Sequence, residues 1–171
     1  MEKTVVNKLY AHVENVGINR ELSTVLTPVF CGFHGELNSI TKYSRYSLIS
    51  GGKHKEELEH VFAEIASDET MHFKLLAKLM YRLGADPFDY AFKAIGDKRF
   101  TDCNVKHVCA PEKMITDSII YEISSINEYE KIMAKVQNDY IKQIIDYIIL
   151  DERKHLKKLR EFSSLYRIKF F

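Results

Sequence analysis

Apolar residues recur three and four positions apart over most of this chain, the period of a helix with one buried face. Val5, Val6, Leu9, Val13 and Val16 mark a short amphipathic helix over residues 2–16, ended by Gly17 and Asn19. A first long helix is expected from Thr27 to Leu48, with Thr27-Pro28 as its N-cap and first turn. Gly32 and Gly35 interrupt it. A helical Gly costs up to about 1 kcal/mol relative to Ala, so close packing is expected there. Ser50-Gly51-Gly52 is a tight break. Leu58, Val61, Phe62, Ile65, Phe73, Leu76, Leu79 and Leu83 then mark a second long helix over 53–83, stopped by Gly84 with Pro87 beyond it. A third starts at Pro111-Glu112 and runs to Lys135. After the turn at Asn138-Asp139, Ile141, Ile144, Ile145, Ile148, Leu156 and Leu159 mark a fourth, ending near Phe162.

The links between the long helices are short, long and short. Helices joined by short links are antiparallel neighbours, and the stretch over 84–110 is long enough to run the length of a bundle. The expected fold is therefore all-α. It is a four-helix bundle over 28–162 with one long crossover at 84–110 and an N-terminal helical extension over 1–20, in a single domain of 171 residues.

Composition agrees and narrows the partners. Only 7 Gly and 3 Pro punctuate the chain, which suits long helices. Lys plus Arg number 25 and Asp plus Glu 24, a net charge of +1, so neither nucleic acid nor an anionic membrane is expected as partner. No apolar run reaches the length of a transmembrane helix, and no secretory signal is visible at the start. The three cysteines, Cys31, Cys103 and Cys109, have no framework spacing, which fits a reducing cytoplasm.

Within the helices, Asp-Glu-x-x-His occurs twice, at Asp68 to His72 and at Asp151 to His155. Glu and His three apart share a helix side, so each copy offers one carboxylate and one imidazole to a common centre. Ile65 and Leu76 flank Glu69 and His72 by one turn, and Ile148 and Leu159 flank Glu152 and His155. A carboxylate on such an apolar stripe is costly to bury unless it is paired or metal-bound. The other two long helices each carry a matching Glu. Glu36 is followed by Ile40 and Tyr43, and Glu122 by Ile126 and Tyr129, at spacings that keep each trio on one face. Glu36 and Glu122 are 86 residues apart and Glu69 and Glu152 are 83 apart, so the halves repeat one helix pair. The six candidate ligands are Glu36, Glu69, His72, Glu122, Glu152 and His155. Asp68 and Asp151 fall about 100° to the side of the ligand face, as supporting or solvated groups. A third match, Glu57-x-x-His60, lies about 120° round the second helix and is assigned to solvent. His34, about 200° from Glu36, should not reach the centre.

The stretches Glu36 to Tyr43, Glu64 to His72, Leu83 to Pro87, Glu122 to Tyr129 and Asp151 to His155 resemble the rubrerythrin-like branch of the ferritin-like superfamily. The resemblance spans 28–162. It implies a carboxylate-bridged diiron or dimanganese centre on those six residues, with Glu69 and Glu152 as the bridging carboxylates. Two positions depart from the family. These 171 residues hold no paired Cys-x-x-Cys of a rubredoxin-like module, so a separate electron-donor protein is expected. The extra Glu that rubrerythrins place three residues after the third-helix ligand is Ser125.

Four carboxylates and two imidazoles carry a charge of −4, which two divalent ions neutralise. Hard oxygen with borderline nitrogen donors suits iron or manganese. The expected function is an oxidoreductase that reduces or disproportionates hydrogen peroxide or O₂, in the manner of a rubrerythrin-like peroxidase or a manganese catalase. Iron handling by a ferroxidase, and a bundle whose metal site is not catalytic, are the alternatives. A homodimer or higher homo-oligomer is expected. Tyr43 and Tyr129 are either core tyrosines or hydrogen-bond partners of the ligand carboxylates. Cys103, His107 and Cys109 read as free thiols with a neighbouring His. Tyr81, Phe88, Tyr90, Phe92 and Phe100 read as bundle cover or a subunit contact.

Overall fold

A computed structural model of the protein describes residues 3–89 and 108–168. The six helices among them are α1 (Lys3–Glu14), α2 (Arg20–Cys31), α3 (Glu36–Ile49), α4 (Lys55–Arg82), α5 (Pro111–Met133) and α6 (Asp139–Leu165). The all-α expectation holds, as does the bundle, whose most extensive pairings are α3 with α4 and α5 with α6. At 1.5 Å per residue the 28 residues of α4 span about 42 Å.

Cross-helix contacts give the directions. Glu36 lies beside His72 while Tyr46 lies beside Phe62, so α3 and α4 run antiparallel. His72 meets Asp151 and Glu64 meets Lys158, so α4 and α6 do too. Tyr129 reaches Glu36 and Tyr46 reaches Asp117, which makes α3 and α5 antiparallel. It follows that α4 and α5 point the same way. Just before α5, Val108 lies against α3, where Arg45 Nη1 donates to its carbonyl at 3.1 Å.

Helix ends follow local chemistry. Asn19 and Asn138 cap α2 and α6, each accepting from the amide three residues on, Leu22 and Ile141. After α4, Gly84 takes φ +91°, a conformation open to Gly, and the amide of Ala85 closes onto the carbonyl of Met80.

One long helix from Thr27 to Leu48 is not what forms. Capped by Asn19, α2 starts at Arg20, eight residues before Pro28, which falls inside the helix, and the chain breaks at 32–35 before α3. The physical reason lies in the two glycines. A Cβ on Gly32 would run into the Pro28 carbonyl, and one on Gly35 would come within 2.8 Å of the same oxygen. Asn38 Nδ2 donates to the carbonyl of Gly32 at 2.9 Å, supplying a partner for the freed backbone. The interruption therefore ends one helix and begins another, with Glu36 at the first position of α3.

Two apolar clusters form the core. One joins Leu75, Leu76 and Leu79 of α4 to Ile141, Ile145 and Ile148 of α6, with α1 and α2 laid over them through Leu9, Val13, Leu26 and Phe30. The other joins Tyr43, Tyr46, Leu58, Phe62, Met114 and Leu159. Burying each such side chain contributes roughly 1.5–3 kcal/mol. Phe88 lies edge-on to Phe30 and Phe73 as cover for the first cluster, while Tyr81 is 73% exposed. Cys109 is an exposed free thiol. Tyr90, Phe92, Phe100, Cys103 and His107 lie outside the described residues. Among the described residues, no helix is long and apolar enough to cross a membrane.

Candidate metal centre

Between the two apolar clusters lies a polar layer fed by all four bundle helices. Glu36 comes from α3, Glu69 and His72 from α4, Glu122 from α5, and Glu152 and His155 from α6. All six are buried, none more than 2% exposed. The sequence-predicted set is thus brought together in full.

The geometry resolves it into two overlapping groups. Glu36, Glu69, His72 and Glu152 form one, and Glu69, Glu122, Glu152 and His155 the other, each with its potential donor atoms within 4.8 Å of one another. Glu69 and Glu152 belong to both and so stand between the two positions. The Nδ1 atom of His72 faces Glu152 Oε1 at 3.5 Å, Glu69 Oε2 at 3.7 Å and Glu36 Oε2 at 3.8 Å. His155 Nδ1 faces Glu69 Oε1 at 3.3 Å, Glu152 Oε2 at 3.6 Å and Glu122 Oε2 at 3.8 Å.

The opposite edge of each imidazole is held by an aspartate. His72 Nε2 lies 3.4 Å from Asp151 Oδ2, and His155 Nε2 lies 3.3 Å from Asp68 Oδ2. Each Asp-Glu-x-x-His copy therefore supports the imidazole of the other copy, across the α4–α6 contact. An Nε2–H donated to a carboxylate leaves Nδ1 with its lone pair toward the centre, the tautomer that a metal ligand requires. Of the two readings of Asp68 and Asp151, support is the one the contacts carry, though Asp68 remains 35% exposed and Asp151 7%.

The tyrosines also cross between halves. Tyr43 of α3 donates to Glu122 Oε1 of α5, and Tyr129 of α5 donates to Glu36 Oε1 of α3. Each fixes one oxygen of a carboxylate and leaves the other free. His34 stays outside, its ring 5.2 Å from that of Tyr121. Glu57 is 63% exposed and lies near His54 rather than His60. Ser125 is buried on α5.

A cluster this dense must balance its charge. Burial pushes the Glu36 carboxyl well up, helped by the charge of Glu69, and burial with the charge of Glu152 does the same to Glu122. Burial also raises Glu69 and Glu152, but the close approach of a neighbouring carboxyl and of both imidazoles outweighs it and draws them down. Burial alone lowers the imidazoles; Asp151 and Glu152 reverse this for His72, and Asp68 and Glu122 for His155, so both end well above the ordinary His value. These shifts favour protons on Glu36, Glu122, His72 and His155, which would offset the charge.

Two divalent cations would supply the same compensation, and the free valences fit them. Of the eleven buried side-chain atoms without a hydrogen-bond partner among the described residues, seven belong to this cluster: Glu36 Oε2, both oxygens of Glu69, His72 Nδ1, Glu122 Oε2, Glu152 Oε1 and His155 Nδ1. Unpaired buried polar atoms are rare in folded proteins, and here seven converge from six residues on one place. Carboxylate oxygens with imidazole nitrogens form a donor set for first-row divalent ions.

Sequence reasoning missed the reciprocity of the aspartates, for which Asp beside Glu in both copies was the available signal. It also missed a buried network beside the site. Lys42 Nζ pairs with Asp117 Oδ2 at 2.8 Å and lies 3.9 Å from the centre of the Tyr121 ring.

Comparison with known proteins places these features in a family. The family model described as Rubrerythrin matches residues 31–163. No curated protein sequence matches the chain. Among solved structures, the wild-type manganese catalase KatB from Anabaena aligns with a TM-score of 0.76 at 15% identity, covering 91% of this chain and 78% of that one. A second structure of KatB, from Anabaena PCC7120, gives 0.76 at 16% identity over the same shares. At such identity the likeness is one of fold.

Proposed function

The chain belongs to the rubrerythrin family, and on that premise we propose that it holds two divalent iron or manganese ions and works as an oxidoreductase consuming hydrogen peroxide or O₂. The observation that carries this reading is the pair of donor groups sharing Glu69 and Glu152, with seven partnerless buried donor atoms turned inward.

Each residue has a distinct part. Glu69 and Glu152 stand between the two positions and face both. Glu36 and Glu122 serve one position each, with their second oxygen held by Tyr129 and Tyr43. His72 and His155 offer Nδ1 while Asp151 and Asp68 hold their rings in register. The apolar clusters on either side keep bulk water from the layer, which strengthens every charge interaction in it. An ion pair of this kind, when bound, supplies two-electron redox chemistry toward peroxide or O₂. Disproportionation of peroxide is the favoured form, because it needs no electron donor and Ser125 stands at the position of the family's additional Glu.

Metal analysis of protein purified without added metal, followed by a peroxide-decay assay, tests this. The expected result is two ions per chain and peroxide loss without a reductant. Peroxide loss only with an added donor protein would select the peroxidase form. Two bound ions with no peroxide or O₂ consumption under either condition would contradict the oxidoreductase reading.

A further inference from the structure

The duplication that pairs Glu36 with Glu122 also pairs the residues before them. Counting back 86 positions, Tyr121 corresponds to Gly35. These two unlike residues touch. Tyr121 Oη donates to the carbonyl of Gly35 at 3.1 Å, and Ser39 Oγ donates to Tyr121 Oη at 3.2 Å. Gly35 is the N-cap of α3, it has no side chain to cap with, and the next residue is Glu36. The Gly35 carbonyl also accepts from the α3 amides of Asn38 and Ser39 at 3.0 and 3.1 Å, so the helix start that presents Glu36 is tied to α5 as well, by the residue adjoining Glu122.

Tyr121 is itself fixed from the far side. Lys42 lies over its ring at 3.9 Å and is anchored by Asp117, which also accepts from Tyr46 at 3.0 Å. A buried ammonium over an aromatic face, paired with a carboxylate, leaves the ring little freedom. Glu122 has no such need. It lies in the middle of an unbroken helix, whose own hydrogen bonds set its backbone.

We propose that Tyr121 is a positioning residue for Glu36, and that it makes the metal position of Glu36 and His72 depend on α5 in a way that the position of Glu122 and His155 does not depend on α3. This inference rests on the two-ion reading above. It assigns a cause of inequivalence to two positions whose donor residues are otherwise matched.

Mn(II) titration of the metal-free full chain, by calorimetry and by the loss of the free-ion spin-resonance signal, provides the test. Wild type should bind two ions. Tyr121→Phe keeps the ring beneath Lys42 and removes only the hydroxyl. It should weaken one of the two binding steps by about tenfold or more and leave the other nearly unchanged. Amide exchange at 36–39 in the metal-free variant should quicken, while exchange around Glu122 should not. A merely structural role would lower both steps together. Equal weakening of both steps, or two steps identical to wild type, would overturn the proposal. A wild type that binds fewer than two ions would overturn the two-ion reading itself, and this inference with it.

Discussion

The half of the centre built by α3 and α4 and the half built by α5 and α6 present the same atoms to the middle and rest on different supports. Each gives a Glu from one helix and a Glu-x-x-His from the next, and each receives a tyrosine hydroxyl and an aspartate from the opposite half. Beyond that layer the match ends. Glu36 opens a helix that follows a glycine break, whereas Glu122 is interior to α5. Asp151, behind His72, is buried and paired with Lys154 at 2.6 Å; Asp68, behind His155, is partly open to solvent. Tyr43 packs against Phe62 and Tyr121, while Tyr129 sits in the aliphatic cluster. What repeats is what would touch the ions. What does not repeat sets how firmly each half is held.

The strongest way to break the comparison is to remove what the halves share. Replacing Glu69 and Glu152 together by Ala takes a carboxylate from both groups at once, and binding of two ions should be lost entirely. Elemental analysis reads this, and full metal content in the double variant would show the six residues are not the ligands.

The next effect separates the halves. Asp151→Asn should lower affinity by about 10- to 100-fold, the usual cost of losing a partner behind a metal-bound imidazole. Asp68→Asn should fall at the low end of that range, because water can reach its position and replace the contact. Titration with Mn(II) measures both. An equal loss in the two variants would mean that the exposure of Asp68 has no consequence for its imidazole.

A smaller effect measures the likeness of the halves. In the metal-free protein Glu36 and Glu122 hold raised carboxyls and His72 and His155 raised imidazoles. Two carboxyl and two imidazole protons should therefore leave when two ions bind, about four in all near neutral pH. The sign follows directly: protons compete with the ions, so affinity falls as pH falls. Calorimetry in buffers of different ionisation heat counts the protons. A count near zero would mean that the cluster is already deprotonated and that its charges are balanced in another way.

Much of this was legible along the chain. The four bundle helices announce themselves through the three-and-four spacing of residues such as Leu76, Leu79, Ile141 and Ile148, all of which are buried. The candidate ligand set was legible because buried carboxylates at fixed helical spacing have few uses other than a metal. The break at 32–35 was not. Val29 and Phe30 continue into Glu36 and Tyr43 at nearly helical spacing, and whether two glycines merely weaken a helix or end it depends on where the Pro28 carbonyl lies in space. Nor was the part played by Asp68 and Asp151. An angle of 100° on their own helix points them away from the ligand face, but a facing helix can bring an imidazole to them. Spacing describes a helix alone; reciprocity needs the neighbour.

In the proposed centre two ions share Glu69 and Glu152. Anomalous diffraction at the iron and manganese edges, on crystals of protein purified without added metal, locates them. Two peaks of iron or manganese are expected, both in contact with Glu69 and Glu152, one beside Glu36 and His72 and the other beside Glu122 and His155. A single peak, or peaks away from these six residues, would contradict that centre.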